Sequence, residues 1–218
     1  MDWRQVATIA REAYRTAVNE WISSARIQGG KVNGPELVLS AGGLGSNTNI
    51  EQRVLQSLSM GGIPPLIAQG LARALASAWN AWAAGFQMRV PKAFPTLAAV
   101  PGPVARGTPT APLSLRLGSS TGEMALQSPQ LAGALAGSLR PHARTLPGNF
   151  DESMRTLATW VDTSFQEWKG LVTMVNLMGG GSVPTFAPPY VPVGPVIQGD
   201  IKSSGPLFAG PRFGRIGT

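Results

Sequence analysis

Three stretches of the chain carry apolar residues at helical spacing, each bounded by glycine or proline. Within residues 2–28, Trp3, Ala7, Ala10, Tyr14, Ala17 and Trp21 recur every three or four positions, and Val6, Ile9, Val18 and Ile22 widen the stripe. The spacing predicts an amphipathic helix ended by Gly29–Gly30. Residues 64–88 repeat Ile67, Leu71, Ala74, Ala78, Trp82 and Phe86, opened by Pro64–Pro65 where a first helical turn tolerates proline. Gly70, Ala74 and Ala78 on that stripe would let a neighbouring helix approach closely. Residues 150–178 give the clearest pattern: Phe150, Met154, Leu157, Val161, Phe165, Trp168, Val172 and Val175, with Asn149 and Glu152 as a cap and Gly179–Gly181 as a stop.

Weaker signals fill the intervals. Thr48-x-x-Glu51 reads as a capping box for a short helix near 49–59. An Ala/Gly-diluted helix is expected at 128–140, and Leu37–Leu39 is the one apolar run that suggests a small strand. Residues 90–120 and 182–218 have no helical period and are rich in proline, which removes backbone donors and extends the residue before it. The expected fold is therefore mainly α: three long amphipathic helices plus short ones, two extended Pro/Gly-rich arms and little or no strand. In order, it comprises a helical body over 1–89, an arm over 90–120, a second helical segment over 121–181 and a C-terminal arm over 182–218.

The two arms resemble each other. Val90-Pro91 matches Val183-Pro184, and Gly102-Pro103-Val104 with Gly107 matches Gly194-Pro195-Val196 with Gly199. Each arm follows a long helix carrying two tryptophans, Trp79/Trp82 and Trp160/Trp168, as a duplicated unit of helix and proline arm would. The apolar residues Phe94, Leu97, Val100, Phe186, Tyr190, Val191, Val196 and Phe208 are irregularly spaced, which suits pockets on a partner better than a self-made core. Trp3, Trp21, Trp82 and Trp168 are the expected anchors of helix packing.

Composition sharpens this reading. Charged residues are only 13% of the chain, and Gly (27) and Pro (19) are abundant, yet hydrophobic residues reach 43% with six tryptophans. A chain this apolar is not disordered, and one this poor in charge has surfaces suited to partners. The net charge of +7 comes mostly from arginine, the better residue for interfaces and phosphates. Arg4, Arg11 and Arg15 share a helical face at i, i+7 and i+11, diluted by Asp2 and Glu12. Arg212 and Arg215 flank Phe213 in a small basic-aromatic tail. Both sets are candidate contacts for nucleic acid.

Candidate chemistry is sparse. Without cysteine there is no thiolate metal site, disulfide or Cys nucleophile, and the single His142 lies among turn residues. Asp151–Glu152 sit in a first helical turn, where the helix dipole favours carboxylates. Gly42–Asn47 precedes a helix but lacks the Lys-Ser/Thr of a phosphate loop. No catalytic residue, metal or cofactor is expected. Residues 64–88 contain one charge, Arg73, so a membrane-associated assembly protein is one alternative. Gln69, Asn80, Gln87 and the many alanines favour a buried or interface helix instead. An enzyme with an unfamiliar site is the other alternative. The N-terminus has no apolar signal-peptide core, so the expected protein is made in the cytoplasm without a signal peptide and ends in a particle.

Helical bodies joined by apolar arms such as FAPPYVPVGPVI resemble the minor structural proteins of bacteriophage virions and phage-tail-like machines. The likeness is one of organisation over most of the chain, with no motif matched residue by residue. It implies a non-enzymatic structural subunit (neck, baseplate or capsid-associated) whose partners are copies of itself and other subunits; the scattered positive charge, separately, suits a weak nucleic-acid contact.

Overall fold

The computed structural model of the chain describes residues 2–101, 103–142, 149–183 and 193–215. The first helix, α1 (Trp3–Ser24), is capped by Asp2, whose side chain accepts from the Arg4 N–H at 3.0 Å. Its stripe is buried from Trp3 to Trp21. The helix stops at Ser24, short of Gly29–Gly30, because the chain turns extended at Ala25 and enters β1 (Arg26–Ile27). A hairpin follows, β2 (Gly30–Asn33) and β3 (Glu36–Leu39), joined through Gly34–Pro35. Gly34 has φ +56°, the positive value that tight hairpin turns demand and glycine supplies without strain. Next, β4 (Leu44–Gly45) pairs back onto β1.

The second helix, α2 (Ile50–Met60), is capped by Asn49, which accepts from the Gln52 N–H at 3.1 Å. The cap thus lies one residue beyond the predicted Thr48, whose hydroxyl instead bonds Ser24 Oγ at 2.9 Å. After it, α3 (Pro65–Gly85) runs directly into β5 (Phe86–Val90). Phe86 fits both periods: it follows Trp82 by four residues, and it alternates with Met88 on the buried face of the strand. Gly70 does admit a neighbour. A Cβ there would lie 3.1 Å from both Leu139 Cδ2 and Ser138 O on α4 (Ser128–Leu139).

The interval 90–120 is not a free arm. It contains a 3₁₀ turn at Pro95–Ala98, then β6 (Val100–Pro101), β7 (Val104–Gly107), β8 (Leu113–Ser114), a second 3₁₀ turn and β9 (Gly118–Ser120). The last long helix, α5 (Phe150–Leu171), ends before Val172, so Val172 and Val175 of the predicted stripe lie outside it. The strands β10 (Thr173–Met174), β11 (Leu177–Ser182), β12 (Val193–Gly194), β13 (Gly199–Ser203) and β14 (Phe208–Ala209) complete the order.

Seven of these strands form one antiparallel sheet in the order β7-β11-β13-β2-β3-β5-β9. A three-stranded sheet, β14-β10-β8, and the pairs β1-β4 and β12-β6 accompany it. The fold is therefore mixed α/β, and the expectation of a mainly α chain with little strand is overturned. Gly179–Gly181 is no helix stop; it lies in β11, paired on both sides. Glycine is needed there because neighbours close in: a Cβ on Gly181 would lie 2.6 Å from Gly199 Cα, and one on Gly179 3.2 Å from the Phe94 ring.

The inward face of the sheet presents Val32, Leu37, Leu39, Phe86, Met88, Ala105, Leu177 and Ile201 to the core shared with the helices. Toward β7 and β11, that face is covered by the proline-rich segments. Leu97 packs on Gly107 and Gly179, and Val196 on Gly181 and Gly199. The two similar tracts also meet each other, since β6 and β12 pair with Pro101 opposite Val193, which are equivalent positions of the repeat.

Candidate functional site

The predicted helix anchors Trp3, Trp21, Trp82 and Trp168 are all buried within this chain. Trp21, Trp79, Trp82 and Trp168 form an aromatic centre with Phe165, their ring centroids 4.9–6.3 Å apart. Of the arm anchors, Phe94, Leu97 and Val196 are fully buried by the chain's own elements, and Val100 packs partly against the core. Phe208 meets Trp168 edge to face at 5.5 Å. Phe186, Tyr190 and Val191 lie outside the described residues. These anchors were legible as apolar, but not as partners of the sheet.

The two basic sets come together on one side of the molecule. Trp3 meets Phe150 edge to face, Arg4 reaches Glu152 at 3.6 Å, and Arg11 lies over the Trp160 ring at 4.9 Å, so α1 and α5 run parallel. The C-terminal segment closes the end of their groove. Phe213 is fully buried against Tyr14, Trp79 and Trp160, and Gly214 at φ +68° packs on Trp160 and Arg15. Arg212 and Arg215 are thereby held beside the arginine face of α1. Tyr14 Oη has no hydrogen-bond partner among the described residues, and burial pushes its pKa far above the ordinary phenol range.

Ahead of Phe213, the groove opens into a cavity of about 250 Å³ lined by Arg4, Thr8, Arg11, Glu152, Ser153, Thr156 and Trp160 together with Ala7 and Leu157. Arg4 and Arg15 each face a carboxylate, Glu152 and Glu12. Arg11 makes no ion pair among the described residues. Its Nε and the Trp160 Nε1 are buried without a hydrogen-bond partner among the described residues.

A second surface is the outward face of the seven-stranded sheet. The register sets Arg106, Gly180, Asp200, Lys31, Val38 and Arg89 in one row across six strands. Lys31 donates to Asp200 at 2.7 Å and holds its carboxyl below the ordinary range, while Glu36 beside Arg89 holds that guanidinium protonated more firmly still. Three apolar residues lie open at the β7 and β11 side: Val104 (63% exposed), Ile197 (48%) and Met178 (39%). Val104 stands opposite Ser182, to whose carbonyl the Ile197 N–H donates, and Met178 lies four residues back on the same face of β11.

Among the described residues no three His, Asp or Glu side chains gather as a metal site. No described helix is long and apolar enough to cross a membrane. His142 is exposed in a 3₁₀ turn. The glycine segment before α2 offers no free cradle, because Asn49 caps the helix and Glu51 occupies its first turn. Compared with protein-family models, with curated proteins and with solved structures, the chain matches none.

Proposed function

We propose that this chain is a non-enzymatic structural subunit of a large assembly, of the kind that builds bacteriophage virions or contractile-tail-like particles. The observation that carries the reading is the outward face of the sheet, which no helix among the described residues covers and on which Val104, Met178 and Ile197 stand open beside the flat Gly180. Exposed apolar groups among ion pairs are the composition of an interface with a polar rim. At one margin of that face β7 is an edge strand, whose unpaired backbone groups can accept a neighbour's strand.

In this role the proline-rich segments finish the subunit's own sheet, and the sheet meets the neighbours. Backbone hydrogen exchange at low and high protein concentration tests the reading. Amides of β7 and β11 should gain protection as concentration rises, while α4 should not change. Exchange that is independent of concentration throughout the sheet counts against it.

A further inference from the structure

We infer that the groove between α1 and α5, closed by the docked C-terminal segment, is a phosphate-binding track for a nucleic-acid strand. Arg4, Arg11 and Arg15 lie within about 40° of one another around the helix and, at 1.5 Å rise per residue, span roughly 16 Å. A nucleic-acid strand rising about 3.4 Å per nucleotide passes some five phosphates over that distance. Docking of Phe213 sets Arg212 and Arg215 beside the same track, although almost the whole chain separates them in sequence from α1.

The groove holds what a phosphate needs. The cation–π contact with Trp160 fixes the Arg11 guanidinium in place of a carboxylate. Its Nε and the Trp160 Nε1 are buried donors without partners among the described residues, beside a cavity whose Thr8 and Thr156 hydroxyls donate to the Arg4 and Glu152 carbonyls and whose one carboxylate, Glu152, faces Arg4. Among the described residues the acids at the groove, Glu12 and Glu152, are each engaged by one arginine, which leaves Arg11, Arg212 and Arg215 without an ion pair there. A linear row of planar guanidinium groups suits evenly spaced phosphates, and the net charge of +7 draws a polyanion from a distance. This inference is independent of the sheet face and of assembly through it.

The test is fluorescence anisotropy of the full chain with a labelled oligothymidylate over a series of salt concentrations. Contact with three to four phosphates predicts a log–log salt slope of about −2 to −3. Arg11→Gln with Arg15→Gln should lower affinity at low salt at least tenfold and make the slope shallower by about 1.4. Arg89→Gln, on the sheet face, should change neither, with circular dichroism confirming that all variants fold. Three results would overturn the inference: no binding at low salt, loss of binding through Arg89→Gln but not through the α1 pair, or equal binding of polyglutamate. The last would mark the groove as a site for an acidic protein.

Discussion

Asn19 and Phe213 hold each other through two hydrogen bonds: Asn19 Nδ2 donates to the Phe213 carbonyl at 3.1 Å, and the Phe213 N–H donates to Asn19 Oδ1 at 2.9 Å. The amide side chain treats the tail as a strand would and fixes the depth to which the Phe213 ring enters between Tyr14, Trp79 and Trp160. The ring then excludes water from the aromatic centre. Phe213→Ala should cost about 3–5 kcal/mol of stability, since a fully buried aromatic leaves a cavity. Asn19→Ala should cost about 1–3 kcal/mol by leaving the Phe213 N–H and C=O without partners. Urea unfolding midpoints check both values.

Removal of residues 182–218 should abolish cooperative folding. The deletion takes away β13, which lies between β11 and β2, together with Val196, Leu207 and Phe213 from the core. A segment that is only an arm for partners, as its sequence suggests, would instead leave helix content nearly unchanged and weaken assembly alone. Circular dichroism and thermal unfolding of the truncated chain decide between them.

Glycines should divide by position. At Gly199 a Cβ would meet Val196 Cγ1 at 2.6 Å, Gly180 O at 2.7 Å and Val32 Cγ1 at 2.8 Å, so Gly199→Ala should destabilise by about 1–3 kcal/mol. At Gly133 and Gly137 in α4 a Cβ meets nothing within 4 Å, so alanine there should stabilise by about 0.5–1 kcal/mol each. Chemical denaturation of the three single variants gives the signs.

The Lys31–Asp200 pair should leave a small acid-side signature. Its carboxyl is held below the ordinary range, so the pair's contribution is present above that range and lost as pH falls through the lowered value. Asp200→Asn should be slightly less stable than the parent at neutral pH and should converge with it in acid. Parallel unfolding curves over pH measure the difference.

The helices were readable because each repeats its apolar stripe over many turns, and Trp3 to Trp21 or Phe150 to Trp168 admit no other period. The strands were hidden for a definite reason. Inward positions in β2, β7, β9, β11 and β13 include Gly30, Gly107, Gly118, Gly179 and Gly199, which carry no hydrophobic signal and look like loop. Their apolar partners, Phe94, Leu97 and Val196, lie in other segments, so the alternation is completed only in space. For the basic groove, the common face of Arg4, Arg11 and Arg15 follows from spacing alone. Its junction with Arg212 and Arg215 depends on Phe213 reaching Tyr14 and Trp160, which no local pattern encodes.

Assembly through the outward sheet face can be read from sedimentation of the full chain beside Val104→Glu and Ile197→Glu. Both side chains are exposed, so neither substitution should disturb the fold. The account predicts that the parent chain forms species larger than a monomer as concentration rises, and that each glutamate returns it to a monomer with unchanged circular dichroism. A parent chain that stays monomeric at every concentration, or larger species that persist in both variants, would contradict it.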